Sequence, residues 1–230
     1  MNPLLLLIIY LLLNNGIDNV VNKLNEYNKP KFREVEFWQS DSTVSFLKDE
    51  YKIEIKTDPF DDAIVSIKTK DSEIEKFFSN YQIWGHYLSE IKRFDLDNNG
   101  LDDILIISYP VGASGLSANI QLLTCLLFFP NNVVKYYEFS SFFNAENLFF
   151  DFDKDNKFEF VSINYSSYEN NNYFVFNAFC YENFDFENCS QKALHFPILL
   201  RKEDDNYIEV TSFPEKLLSR FQFSKPNVWK

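Results

Sequence analysis

Two acidic stretches that each run into an apolar segment decide how this chain is interpreted: FDLDNNGLDDILIISY (residues 94–109) and FDFDKDNKFEFVSINY (residues 150–165). At an offset of 56 residues, from Asp95 to Asp151, both copies contain an aromatic residue, an acidic loop, a strand-like run and a tyrosine. One acidic loop arises easily by chance, whereas two copies in register are much harder to dismiss. The sequence therefore predicts an internal repeat, which is typical of proteins built from recurring supersecondary units.

The spacing of oxygen-bearing residues in each loop fits the coordination chemistry of calcium. Calcium takes roughly six to eight oxygen ligands, and side chains at loop positions 1, 3 and 5 can converge on one point. A backbone carbonyl at position 7 and an acid at position 9 can complete the set. The expected ligands are Asp95, Asp97, Asn99, the Leu101 carbonyl and Asp103 in the first loop, and Asp151, Asp153, Asp155, the Lys157 carbonyl and Glu159 in the second.

The other loop positions favour calcium in a loop flanked by strands. Position 6 must turn sharply, often with a positive φ, which Gly100 adopts freely and Asn156 tolerates. Magnesium is disfavoured because it avoids cages made of protein ligands alone. An EF-hand is excluded because position 12 is Ile106 or Ser162 rather than a bidentate glutamate, and both lie in strand-like runs. The alternative is that both loops are ordinary Asp-Asn-Gly hairpin turns without a metal.

Strand patterns dominate the rest of the chain, which is rich in aromatic residues. Apolar and polar residues alternate in Tyr51–Lys56 and Ala63–Lys68, which is the period of half-buried strands. The helical signals are a weak periodicity over residues 14–30, a segment capped by Asp71 that runs to Phe78, and Glu215–Phe221. Because long helices do not alternate with strands, we expect an all-β fold with minor helix. Further strands are predicted at Ile104–Tyr109, Ile120–Phe129, Val133–Phe139, Lys157–Tyr165, Tyr173–Tyr181, Ala193–Arg201 and Tyr207–Thr211.

The pattern D-x-D-x-N-G-x-x-D leading into a strand resembles the FG-GAP/VCBS repeats, over about residues 80–190. The resemblance implies β-propeller-like antiparallel sheets built from repeats of roughly 50–60 residues, with the number of blades left open. It also implies loops that bind calcium on one rim, where the ion stiffens neighbouring partner-binding loops. The second copy departs from the pattern at Asn156 and Glu159, and the Phe-Gly and Gly-Ala-Pro signatures of the family are absent.

The first residues predict export. Leu4–Leu13 is an unbroken apolar run with the length of a signal-peptide core, far short of the roughly 20 residues that a membrane-spanning helix needs. A buried N-terminal helix or a misplaced start codon is the alternative, since no basic residue precedes the run and no A-x-A site follows. We expect a secreted or periplasmic protein with no membrane span after signal removal. Its predicted divisions are 1–16, a segment with strands and a short helix at 17–80, and the repeat domain at 81–230.

Cysteines and charge narrow the possible chemistry. Cys180 and Cys189 lie nine residues apart and could pair in an oxidising compartment, although spacing alone leaves the pairing open. Cys125 lies in an apolar run and is expected to be a buried free thiol. The absence of a C-x-x-C pair excludes a zinc ribbon. A net charge of −12 without a visible basic patch argues against a nucleic-acid partner.

Three functions are compatible with these features. The expected one is an exported, calcium-binding, non-catalytic β-repeat protein that serves as a binding module for an unknown protein or glycan. The alternatives are a periplasmic inhibitor or immunity protein against a secreted hydrolase, and a carboxylate-dependent glycan hydrolase. His86 and His195 have apolar neighbours and are interpreted as packing residues. Partner contacts are expected in Tyr165–Phe176 and in the Pro110–Asn119 loop.

Overall fold

Strands predominate in the part of the chain that the computed structural model describes, which is residues 15–40, 43–56, 63–69, 73–78, 88–109, 120–142, 148–182, 185–189, 196–203, 206–211 and 227–228. The strand pairs among these residues are antiparallel. In chain order the elements are α1 (Asn15–Leu24), β1 (Arg33–Glu34), β2 (Phe37–Ser40), β3 (Thr43–Lys48), β4 (Tyr51–Lys56), β5 (Ile64–Lys68), β6 (Glu73–Phe78), β7 (Leu88–Phe94), β8 (Asp103–Ser108), β9 (Gln121–Phe129), a 3-10 turn (Pro130–Asn132), β10 (Val133–Ser141), β11 (Phe149–Phe150), β12 (Glu159–Tyr168), β13 (Asn171–Glu182), β14 (Asp185–Asn188), β15 (Ile198–Glu203), β16 (Asn206–Glu209) and β17 (Asn227–Val228).

Two compact units make up the chain, and each combines two separate stretches of sequence. The first unit contains Met1–Lys29 and Leu148–Lys225, and the second unit contains Pro30–Asn147 and Pro226–Lys230. The sequence-based boundaries after residues 16 and 80 differ from these limits and remain predictions.

The second unit contains two sheets that share one core. One sheet has the strand order β1-β7-β8-β9-β10-β17, and the other runs from β2 to β6 in consecutive hairpins. A single cluster of buried apolar side chains draws on both sheets, and the rings of Phe77 and Tyr136 stack across it with centroids 4.9 Å apart. Apolar and polar residues alternate in Tyr51–Lys56 because one face of this strand is covered: Ile53 and Ile55 are fully buried in the shared core. Burying one such side chain contributes about 1.5–3 kcal/mol.

In its described residues, the first unit contains one sheet and the helix. Its strand order is β11-β12-β13-β15-β16, and β14 pairs separately with β13. Gly16 brings α1 close to β16, because a Cβ atom on this residue would lie 1.8 Å from the carbonyl oxygen of Tyr207. An ion pair of 2.8 Å joins Lys23 to Glu209 between the same two elements. The buried face of the helix consists of Ile17, Val20 and Leu24.

The structure corrects one predicted element and moves the ends of others. The helix expected from Asp71 to Phe78 is wrong, because Glu73–Phe78 forms strand β6 at the edge of a sheet. Pairing with β5 and burial of the Phe77 ring outweigh the capping signal of Asp71, which itself lies outside the described residues. The strand expected from Ala193 begins at Ile198, after Pro197, whose missing N–H group cannot join a sheet ladder. Elsewhere the predicted strands are found, with ends shifted by no more than three residues.

Several predictions concern the two ends of the chain. The weak helical signal over residues 14–30 is confirmed by α1. The apolar run Leu4–Leu13 and the helix predicted over Glu215–Phe221 lie outside the described residues. Within the described ranges, no helix is both long enough and apolar enough to cross a membrane.

A disulfide joins Cys180 on β13 to Cys189 just after β14, with their Cα atoms 5.3 Å apart. The register of the two strands brings these residues together. Cys180 lies opposite Glu187, and Cys189 is two residues further along on the same side of the hairpin. Cys125 is a buried free thiol. The bridge therefore fixes the β13–β14 hairpin at its open end.

We expect the double variant Cys180→Ser/Cys189→Ser to lose about 2–3 kcal/mol of unfolding free energy, because the bridge restricts the unfolded chain. Urea unfolding followed by tryptophan fluorescence measures this loss. Reductant should lower the unfolding midpoint of the wild type and leave the double variant unchanged. An equal effect of reductant on both proteins would mean that the bridge does not carry this stability.

Candidate metal centres

Both predicted calcium loops are hairpin connections between antiparallel strands. The first loop joins β7 to β8, and the second joins β11 to β12. Phe94 lies opposite Asp103 at the base of the first loop, and Phe150 lies opposite Glu159 at the base of the second. Each residue of the second pair lies 56 positions after its counterpart in the first, so the strand register reproduces the repeat found in the sequence.

Backbone N–H groups of the first loop bind its first and last carboxylates. The Asn99 N–H donates to Asp95 Oδ1 at 3.1 Å, and the Gly100 N–H donates to Asp95 Oδ2 at 2.9 Å. The Leu96 N–H donates to Asp103 Oδ2 at 2.8 Å. Asp95 therefore closes the turn from one side, while Asp103 closes it from the strand that follows.

The second loop repeats these bonds at the equivalent positions. The Asp155 N–H donates to Asp151 Oδ1 at 3.1 Å, and the Asn156 N–H donates to Asp151 Oδ2 at 3.3 Å. The Phe152 N–H donates to Glu159 Oε2 at 2.8 Å. Glutamate thus replaces aspartate at position 9 and still accepts a hydrogen bond from the backbone N–H at position 2.

The fifth position of each loop has the same local role in both copies. The Leu101 N–H donates to Asn99 Oδ1 at 2.7 Å, and the Lys157 N–H donates to Asp155 Oδ1 at 2.8 Å. Short polar side chains commonly bind the backbone two residues further on in this way. The ligand roles expected for these two side chains, and for the carbonyls of Leu101 and Lys157, remain predictions.

Positive φ angles occur at two equivalent positions in each loop. Position 6 was expected from the sequence, and its φ is 84° at Gly100 and 64° at Asn156. Position 4 was not expected, although φ is 56° at Asn98 and 65° at Lys154. Asparagine is a known signal for this conformation, whereas a lysine gives none. The shared backbone path therefore makes Lys154 equivalent to Asn98.

Three carboxylates converge in each loop. Oxygen atoms of the three groups all lie within 4.8 Å of one another. The last acid is buried in both cases, since Asp103 is 0 % exposed and Glu159 is 5 % exposed. The convergent groups are Asp95, Asp97 and Asp103 in the first loop, and Asp151, Asp153 and Glu159 in the second.

Burial and crowding work against the ionisation of the acids in the first loop. Burial raises the pKa of Asp103 well above its usual value, and the charges of Asp97 and Asp95 raise it further. The N–H groups of Phe128 and Leu96 oppose this shift only in part. Burial also raises the pKa of Asp97. Such a set of acids is stabilised either by protons or by a cation that offsets their mutual repulsion.

The second loop has the same electrostatic conflict. Burial raises the pKa of Glu159 to about 7, and repulsion from Asp153, Asp155 and Asp151 adds to the shift. The Phe152 N–H, which binds this carboxylate, opposes the shift. An oxygen-only cluster of this kind suits a hard cation such as calcium.

Long-range contacts that the sequence did not reveal anchor the first loop. The Phe128 N–H on β9 donates to Asp103 Oδ1 at 2.8 Å, and Asn99 Nδ2 donates to the Phe128 carbonyl at 2.9 Å. The Arg33 guanidinium binds the carboxylate of Asp102 beside the loop. These partners are far apart in sequence, so no local pattern could have identified them.

Different neighbours anchor the second loop. The Asp151 N–H donates to the Asn28 carbonyl at 2.9 Å, which ties the loop to the segment that follows α1. The rings of Tyr27 and Phe152 meet edge to face with centroids 4.9 Å apart. The two loops therefore share their internal geometry while they are fixed to unrelated parts of the fold.

The sequence also singled out residues outside the two acidic loops. His86, His195 and the Pro110–Asn119 loop lie outside the described residues. Tyr165–Phe176 spans the hairpin of β12 and β13.

No family model, curated protein or solved structure matches this chain.

The metal-free protein is expected to lose stability as pH rises from about 4.5 to about 7, which are the ordinary and the folded-state pKa values of Glu159. The folded state favours the protonated acid, so this contribution is present below the lower value and is lost as the folded group ionises. Melting temperatures measured in excess chelator across this range would detect the loss.

Glu159→Gln should make the fall in melting temperature smaller, because the amide keeps an oxygen for the Phe152 N–H but does not ionise. The control is Glu50→Gln, which changes an exposed glutamate in the turn between β3 and β4. An unchanged pH profile in Glu159→Gln would contradict this account of the second loop.

Proposed function

We propose that this chain is an exported, calcium-binding and non-catalytic β-repeat protein that serves as a binding module for a protein or glycan partner. The observation that carries the proposal is the pair of equivalent hairpin loops, each of which brings three carboxylates within 4.8 Å of one another. The loops share their strand register, their backbone-to-carboxylate bonds and their positions of positive φ. Because the repulsion between the acids recurs in both copies, a cation is the simplest common ligand.

The donor set supports calcium over other metals. Each convergent cluster offers carboxylate oxygens from an irregular loop, whereas transition metals favour nitrogen and sulfur ligands. We propose that the first site is the tighter one. In the second loop Lys157 Nζ lies 3.9 Å from the Asp155 carboxylate, and its positive charge weakens the field that attracts a cation.

We further propose that the chain contains an FG-GAP/VCBS-type repeat with a propeller-like arrangement of its sheets. The loop motif supports it, as does the recurrence of the unit of strand, acidic loop and strand at the same register. The antiparallel pairing of the sheets is compatible with such repeats.

Two features support export. A calcium site of this kind is filled at the millimolar concentrations found outside the cytoplasm. The disulfide between Cys180 and Cys189 suits an oxidising compartment.

The geometry favours a metal site over a glycosidase site. Glycosidase carboxylates are separated by roughly 5–9.5 Å, which leaves room for the substrate or a water molecule. In each loop three carboxylates converge, with oxygens within 4.8 Å of one another, whereas a glycosidase works with one separated pair. Backbone N–H groups also bind Asp95 and Asp103, so these acids are already committed to closing the turn.

Calorimetric titration of the chelator-treated protein with calcium is expected to show two sites, the first of them tighter. Asp97→Ala should abolish the tighter site and Asp153→Ala the weaker one, because each change removes one carboxylate from a single cluster. Calcium at about 100 times its dissociation constant should stabilise the fold by about 2.7 kcal/mol for each site, which raises the melting temperature.

Asp18→Ala provides the control, because Asp18 is an exposed acid on α1 and its loss should leave both sites intact. Magnesium at the same concentration controls for ionic strength. If excess chelator leaves the melting temperature unchanged, the calcium proposal is wrong.

A further inference from the structure

The outer face of the β2–β6 sheet exposes two large apolar side chains. Trp38 lies opposite Ser45 in the register of β2 and β3, so both side chains are on the same face. Val44 and Phe46 flank Ser45 along β3 and are fully buried in the core on the other face. Trp38 therefore faces away from the core, and 59 % of its surface is exposed. Leu47, two residues beyond Ser45 on the same face, exposes 56 % of its surface.

Lysines follow this apolar pair on the same face, on the strands β4, β5 and β6 that continue the sheet beyond Leu47. Leu47 lies opposite Lys52, and Lys52 lies opposite Lys68 on the next strand. Lys56 and Lys76 lie opposite outward-facing residues of β5. In these rows of paired residues, Glu54 and Glu73 are the only acidic residues. The surface, called the lysine face below, consists of Trp38, Leu47, Lys52, Glu54, Lys56, Lys68, Glu73 and Lys76.

An ion-pair triad holds the centre of the lysine face. The carboxylate of Glu54 receives Lys52 Nζ at 2.8 Å and Lys68 Nζ at 2.5 Å. Hydrogen bonds from these two lysines lower the pKa of Glu54 to about 2, so the triad persists at neutral pH. Because Glu54 is largely covered, the two ammonium groups are the more exposed part of the triad.

Among the described residues, the strands of the lysine face have a charge opposite to that of the chain as a whole. Four outward-facing lysines are paired with only two glutamates there, whereas the chain has a net charge of −12. A cationic face on an acidic protein selects for an anionic partner that docks there and is repelled elsewhere. The inner face of the same sheet packs into the core, which holds the strands of the lysine face in place.

We propose that the lysine face binds a carboxylated polysaccharide, with a sugar ring stacked on the Trp38 indole and uronate groups beside the lysines. This inference rests on the proposed role as a binding module and names its partner class. An exposed aromatic ring presents a flat apolar surface to the C–H face of a sugar, and lysines bind carboxylates as point charges. A bilayer is disfavoured because a flat strand face with two apolar side chains lacks the broad apolar surface that membrane insertion needs.

Hyaluronan is a suitable probe, and its methyl ester is the matched ligand without charge. In calcium-containing buffer the wild type should bind hyaluronan and bind the ester more weakly. Trp38→Ala should weaken hyaluronan binding about tenfold or more, as expected for an aromatic anchor. Lys56→Gln should weaken it about threefold, as expected for one exposed charge pair.

Two variants in the first unit control for the loss of apolar surface and of charge. Ile208→Ala removes an exposed apolar side chain on β16, and Lys202→Gln removes an exposed lysine on β15. Both should bind hyaluronan as the wild type does. Circular dichroism of each variant confirms that the fold is retained.

Three results would overturn the inference: no hyaluronan binding, equal binding of the ester, or unchanged binding by both Trp38→Ala and Lys56→Gln. Tighter binding to anionic vesicles or to single-stranded RNA than to hyaluronan would also overturn it. If the protein binds calcium but not hyaluronan, the proposed role of the lysine face is wrong and the calcium proposal stands. If it binds hyaluronan but takes up no calcium, the calcium proposal is wrong and the role of the lysine face stands.

Discussion

Electrostatic repulsion among carboxylates in two tight hairpins is the constraint that both acidic loops must satisfy. Such acids would separate if the loops were free to open. Backbone N–H groups hold the first and last acids of each loop in place, at Asp95 and Asp103 and again at Asp151 and Glu159. The hydrogen bonds stabilise the turn, while the crowding of the acids leaves an unfavourable term that a bound cation would remove. The loops thus combine a rigid backbone with an unbalanced charge.

The two loops have the same internal hydrogen bonds but different neighbours. The bonds within a loop therefore suffice to set its conformation, and the surrounding contacts only fix its position. The first is bound through both backbone groups of Phe128, at the end of a long central strand. The second is tied to Asn28, in the segment that follows the helix. A loop that closes on its own side chains can be placed in different frameworks. This independence suits a unit that recurs within one chain.

Local patterns determined how much could be predicted. Hairpin loops close over a few residues, so the sequence alone located both acidic clusters and the positive φ of Gly100 and Asn156. The alternation in Tyr51–Lys56 likewise gave a strand with correct ends. The segment up to Phe78 was misjudged as a helix because its strand conformation depends on a neighbouring strand and on a ring from another sheet. The anchoring by Phe128 was equally inaccessible, since it depends on sheet order.

The discontinuous first unit has a consequence for how the chain folds during synthesis. The apolar side of α1 is made early, but β16, against which it packs, is made more than 180 residues later, as the pairing of Lys23 with Glu209 illustrates. At about 5–20 residues per second, a ribosome takes roughly 10–40 s to cover that distance. During this time the helix has no native surface to cover Val20 and Leu24. The nascent chain is therefore most prone to aggregation in this interval, because exposed apolar surface promotes it.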